Sequence, residues 1–135
     1  MILALYKRLK EVGQTEYGDI VLGSEVIKSS TGRARKLRLA LIDDTYVDVW
    51  YSEDRHYSFH WEQAGRRDFV YRHDNAPHKS WMSVSTFPKH CHEETEWNVK
   101  ESHLPDDPEE ALREFLSQVR GLMIGFGSKI RLQKE

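Results

Sequence analysis

The stretches RHDNAPHKSW (72–81) and FPKHCHEE (87–94) set His73, His78, His90 and His92 around two prolines, with Arg72, Asp74 and Asn75 alongside. Imidazole is the side chain whose unperturbed pKa, near ~6.5, lets it take and give protons at neutral pH. Three chemistries are open to this set. RNA cleavage by internal transfer needs a base for the 2′-hydroxyl proton, an acid for the leaving 5′-oxygen and a cation for the phosphorane charge. Two histidines from His60, His78, His90 and His92, with Arg72 or Lys89, would meet that need, and Asp74 would orient a tautomer. A metal-dependent hydrolase could instead use His90-x-His92, because residues two apart in an extended chain project to one side; Asp74 or His78 would be the third ligand. The third option is a non-enzymatic module that binds nucleic acid or protein, its histidines only ordering a loop.

The stronger metal signatures fail. HEETE (92–96) lacks the second histidine of H-E-x-x-H, and the chain's single cysteine cannot supply the P-C-x-x-C of zinc deaminases. Cys91 has histidines on both sides, but neighbours in an extended segment point apart, so a Cys–His pair would need a distant partner. GFGSK (125–129) lacks P-loop spacing and reads as a helix stop. The expectation is therefore metal-free chemistry with no cofactor.

The elements that must hold these residues come from periodicity. Ile2, Leu5, Tyr6, Leu9 and Val12 recur at helical spacing, and Gly13 would close that short helix. Strand-like DIVLGSEVIK follows, with a turn at SSTGR. Leu37, Leu39 and Leu41 then alternate with Lys36 and Arg38, and Val47, Val49 and Tyr51 with Tyr46, Asp48 and Trp50. Tyr57, Phe59 and Trp61 alternate with Ser58, His60 and Glu62; Phe69 and Tyr71 alternate with Val70, Arg72 and Asp74. His60, Arg72, Asp74 and His78 should then converge at one edge of the sheet. Residues 75–105 show little periodicity, apart from a short strand-like NVKES. In PDDPEEALREFLSQVRGLMIGFG, Asp107 caps a helix, Pro108 suits its first position, Glu110 completes a capping-box arrangement, and Gly125 and Gly127 end it. The expected fold is α+β over residues 1–135 as one domain. An antiparallel meander of about five or six strands is packed by a C-terminal helix, with a short N-terminal helix.

The formal charge of −2 excludes a uniformly basic nucleic-acid binder but not a local patch. Lys28, Arg33, Arg35, Lys36 and Arg38 form a basic run without acids, suited to phosphate backbones or to an acidic partner protein. Tyr46, Trp50 or Trp81 could stack bases. One cysteine allows no intrachain disulfide. No apolar run approaches a membrane span, and the start of the chain does not read as a signal peptide, so a cytoplasmic protein is expected.

FHW (59–61), RHDNAPH (72–78) and FPKHCH (87–92) resemble the TumE-like toxins of toxin–antitoxin pairs. That family carries an aromatic-His-Trp strand, an Arg-Trp-Asp-Asn-Ala-Pro-His-His segment and a Phe-Pro-His-His-Lys-His segment. The shared positions are His60, Trp61, Arg72, Asp74, Asn75, Ala76, Pro77, His78, Phe87, Pro88, His90 and His92. The chain departs from the pattern at His73, Lys79, Lys89 and Cys91. The resemblance implies a growth-inhibiting toxin neutralised by a cognate antitoxin, often one with a helix-turn-helix domain, and it favours RNA as target. Catalytic roles are then expected for His60, Arg72, Asp74, His78, His90 and His92. Substrate contacts are expected from Asn75, Lys89, Lys36, Arg38 and Trp81. A second copy of the chain is a further candidate partner.

Overall fold

Strict alternation of apolar and polar side chains resolves, in a computed structural model describing residues 2–127, into a seven-stranded antiparallel sheet in sequence order. The strands are β1 (Val21–Lys28), β2 (Ala34–Leu41), β3 (Tyr46–Tyr51), β4 (Tyr57–Glu62), β5 (Val70–Asp74), β6 (His90–Glu94) and β7 (Val99–Glu101). Helices α1 (Ile2–Glu16) and α2 (Pro108–Gly125) cover one face, and a single 3-10 turn spans Lys79–Trp81 between β5 and β6. The fold is α+β as expected. β7 occupies VKE, within the strand-like NVKES, and the one strand beyond expectation is β6, which occupies HCHEE in the weakly periodic region.

Under the helices lie Leu37, Leu39, Leu41, Val47, Val49, Phe59, Trp61 and Tyr71, all buried. Fully burying such a side chain contributes roughly 1.5–3 kcal/mol. Phe115 of α2 stacks on Tyr71 with ring centroids 5.1 Å apart and also meets Phe59 at 5.5 Å. This contact fixes the direction of β5: with Tyr71 held inward, Arg72 must face outward. A slip of one residue would invert that assignment.

Two helix details differ from expectation. Gly13 does not end α1; it lies inside the helix, where a Cβ would stand 3.3 Å from both methyls of Leu39. The glycine lets α1 approach β2 closely. At α2, Asp107 caps the helix by accepting from the Glu110 amide at 3.0 Å, with Pro108 at its start. The Glu110 carboxylate turns to Arg113 instead of completing a capping box. The helix does end at Gly125, with Gly127 at φ +85°; Ser128 and Lys129 of the GFGSK motif lie outside the described residues.

His73 follows Tyr71 to the inner face. Its ring meets Tyr71 Oη at 2.9 Å and Ser102 Oγ at 2.6 Å. Burial pushes its pKa down to about 4. An unfolded histidine titrates near ~6.5, so between those values the unfolded chain binds a proton that the folded chain refuses. Stability is therefore complete above ~6.5 and falls as pH drops toward 4. His73 alone should make unfolding about 2 kcal/mol easier at pH 5 than at pH 7. Urea unfolding of His73→Gln, which keeps an amide for its partners, should lack that part of the pH dependence. An identical dependence in both proteins would remove His73 as the cause.

Candidate functional site

The register assembles a polar field on the outer face of the sheet. His60 pairs with Arg72, and Arg72 with His92, forming one row across β4, β5 and β6. Ser58 pairs with Asp74, and Asp74 with His90, forming the next. Directly opposed residues in a sheet have Cβ atoms about 4.5–5.5 Å apart. Five side chains able to carry charge or move a proton thus meet without help from the loops.

Asp74 is the hub. Its Oδ1 lies 3.0 Å from His90 Nε2 and accepts the Ala76 amide at 3.0 Å. Its Oδ2 accepts from Arg72 Nε at 3.1 Å and lies 3.9 Å from His92 Nε2. Asp74, His90 and His92 offer three ligand atoms within 4.8 Å of one another, a group that among the described residues could hold a metal ion. The far nitrogens of both rings are fixed: His90 Nδ1 donates to the Pro88 carbonyl at 2.8 Å, and His92 Nδ1 to the Glu96 carbonyl at 2.7 Å. A carbonyl only accepts, so each Nδ1 carries a hydrogen and each Nε2 is the nitrogen turned to Asp74. Histidine is neutral with one N–H and cationic with two. Donation from His90 to both Pro88 and Asp74 requires the imidazolium, whereas His92 can face Asp74 with a bare lone pair. Burial lowers the pKa of His92, and the neighbouring Arg72 adds to that effect against the Glu96 hydrogen bond.

Arg72 is held by acids. Besides Asp74, its Nη1 and Nη2 donate to the two Glu96 oxygens at 3.0 and 3.4 Å. Glu96, in the β6–β7 turn, was not singled out by the motifs. The only sequence signal for it is an acidic cluster, Glu93, Glu94 and Glu96, directly after the H-x-H pair.

The loop between β5 and β6 roofs the site. Trp81 stands edge-on to His92, with centroids 5.5 Å apart, and tilts over His90 at 6.2 Å. Both histidines are consequently only 1–2% exposed. Beside this roof, Trp50, Tyr57, Ser58, Arg72, Asp74, Asn75 and Pro77 line an open cleft of about 420 Å³. Arg72 and Asp74 thus reach both the covered histidines and the accessible cleft.

The remaining expected residues divide. His60 sits in the row, with Nε2 3.6 Å from Glu62 and a buried Nδ1 that has no hydrogen-bond partner among the described residues. Burial lowers its pKa, and Glu62 opposes that shift. His78 is one layer out, its ring tilted against Trp81 at 6.0 Å and its Nδ1 accepting the Ser80 amide. It caps the 3-10 turn under which the site lies, and its partners are Ser80 and Trp81. Asn75 ties the loop down, accepting from the Tyr57 amide at 2.8 Å and donating to the Arg55 carbonyl at 3.0 Å.

Lys89 is placed away from the cluster, because alternation with His90 sends it to the side of Cys91. Its ammonium is taken up by the Leu104 carbonyl and Asp106. Lys36 and Arg38 both pair with Asp48, at 2.8 Å each, and Arg38 lies over the Tyr46 ring at 4.0 Å. The basic run is therefore partly neutralised. Cys91 faces the core, where burial drives its thiol pKa up to about 12, which removes it as a nucleophile.

Among the described residues, no helix is long and apolar enough to cross a membrane. No curated protein and no solved structure matches the chain. The family model described as Toxin TumE matches residues 8–123, a span that contains the whole outer-face cluster. The chain therefore belongs to the TumE toxin family and is the toxin component of a toxin–antitoxin pair, with a cognate antitoxin as its partner.

Proposed function

We propose that this toxin cuts RNA by metal-independent internal phosphoryl transfer on the outer face of β4–β6. The reading rests on one observation: a histidine anchored through Nδ1 on a backbone carbonyl, a histidine held against a carboxylate, and an arginine share one patch beside an open cleft. His92 Nε2 takes the proton of the ribose 2′-hydroxyl, and the 2′-oxygen attacks the adjacent phosphorus. The bond to the 5′-oxygen breaks, and the imidazolium of His90 protonates that oxygen. The products are a 2′,3′-cyclic phosphate and a free 5′-hydroxyl. Arg72 meets the charge that grows on the phosphoryl oxygens, and Asp74 orients His90. His60, opposite Arg72, completes the row as a second candidate for proton transfer.

Because Trp81 covers both histidines, catalysis requires the 75–89 loop to lift, a motion of the kind that gates many enzymes. Trp50, 42% exposed at the cleft, offers a stacking face for a base. With Lys36 and Arg38 engaged by Asp48, backbone contacts pass to Arg33 and Arg35, which line a neighbouring groove with Trp50. The cognate antitoxin, with a helix-turn-helix domain as the family resemblance implies, would close one of these surfaces.

Purified toxin incubated with RNA, with and without EDTA, tests the reading. Equal cleavage in both, leaving cyclic-phosphate and 5′-hydroxyl ends, is the expected result. Loss of cleavage on chelation would overturn the metal-free chemistry, and intact RNA in both would overturn the activity.

A further inference from the structure

A metal-binding histidine is usually held by donation of its Nδ1–H to a carbonyl or carboxylate, which leaves Nε2 as the ligand atom once any proton there is released. His90 and His92 are anchored in this way, on Pro88 and Glu96. Each Nε2 is turned toward Asp74, at 3.0 Å from Oδ1 and 3.9 Å from Oδ2. Zinc bonded at about 2.0–2.1 Å in tetrahedral geometry separates its ligand atoms by about 3.3 Å. One ligand atom from each of the three residues lies within 4.8 Å of the other two, so a small inward closing of the side chains brings them to that spacing. All three groups are buried, so their rotamers are set before any ion arrives.

We propose that Asp74, His90 and His92 form a binding site for a zinc-class divalent cation, and that its occupancy shuts off RNA cleavage. The ligand set of two imidazoles and one carboxylate suits borderline ions and leaves a fourth position for water or a substrate oxygen. An ion there replaces the Nε2 proton of His90 and occupies the Nε2 lone pair of His92. These are the two atoms that metal-free proton transfer requires, so ion and catalysis exclude each other. Arg72 would not need to leave, because it holds Oδ2 while Oδ1 faces His90. Its charge weakens cation binding, and the Glu96 carboxylate across from it offsets that effect in part.

The shut-off rests on the proposed chemistry of the same site, whereas the cation site does not, and the test separates them. Zinc alone is titrated into the intact protein by calorimetry, cobalt absorption is recorded in parallel, and the imidazole nitrogens are followed by NMR. One ion per chain is expected, with tetrahedral cobalt bands and with shifts at the Nε2 signals of His90 and His92. Affinity should fall at least tenfold in Asp74→Asn and in His92→Asn, while His103→Ala, at an exposed histidine elsewhere, binds as wild type does. RNA cleavage by the wild type should decline in step with zinc occupancy. Absence of stoichiometric binding overturns the site, as does binding that survives Asp74→Asn or leaves both Nε2 signals unmoved. The NMR arm needs no variant, so a misfolded mutant cannot rescue the idea. Stoichiometric binding with increased cleavage would uphold the site and overturn both the shut-off and the metal-free mechanism.

Discussion

His92→Asn lowers RNA cleavage by about two to four orders of magnitude, the range expected for removing a general base. Asparagine is the informative replacement. Its amide nitrogen stands near the place of Nδ1 and can still donate to the Glu96 carbonyl, so the β6–β7 turn keeps its tie. What disappears is Nε2, the atom turned to Asp74. The pH profile separates a base from a structural residue. Burial and the Arg72 charge depress the His92 pKa, so its neutral form already dominates at neutral pH. The wild-type rate should rise with pH along a limb lying below ~6.5 and should be flat, for this group, above it. In His92→Asn the residual rate should lose that limb. The cellular readout follows: induction of the variant without antitoxin should no longer arrest growth. Cleavage within a few-fold of wild type, by protein with unchanged circular dichroism, would remove His92 from the mechanism.

The faces of this sheet were legible from the alternation of Leu37, Leu39 and Leu41, of Tyr57, Phe59 and Trp61, and of Tyr71 against Arg72 and Asp74. Side chains two apart in a strand share a face whatever the partner strand does. The H-x-H pair was likewise readable as two imidazoles on one side. The pairing of β5 with β6 was not, because the intervening loop erases any local record of register. That pairing brings His90 and His92 onto Asp74 and Arg72. It also puts His73 and Cys91 opposite each other on the inner face. Polar composition concealed β6, since His90 and His92 are buried beneath Trp81 instead of an apolar layer. Roles that depend on one long-range partner escaped the motifs as well. Lys89 is drawn away by Asp106, Asn75 is spent on the backbone of Tyr57 and Arg55, and Glu96 reaches back to Arg72.

Arg72→Ala should cost about two to three orders of magnitude in cleavage, comparable to deleting one donor that stabilises transition-state charge. The size follows from its setting. Arg72 bonds Asp74 through Nε, and its guanidinium opens on the cleft. Arg72→Lys should recover little, since a point charge cannot engage Asp74 and a phosphoryl group with the planar fork of arginine. Glu96 makes the prediction more specific. In the free protein its two oxygens hold Nη1 and Nη2, the positions a phosphate would use, and the arginine holds the Glu96 pKa low. Substrate must displace that carboxylate. Glu96→Gln weakens the competitor while keeping its shape, and so should lower the RNA concentration needed for half-maximal rate without reducing the rate itself. The opposite signs of Arg72→Ala and Glu96→Gln discriminate phosphate binding from scaffolding, because a purely structural ion pair would suffer from the loss of either member. If both variants impair cleavage equally and both lower the unfolding midpoint, Arg72 is a strut between β5 and the β6–β7 turn, and the phosphoryl charge must be met by another group.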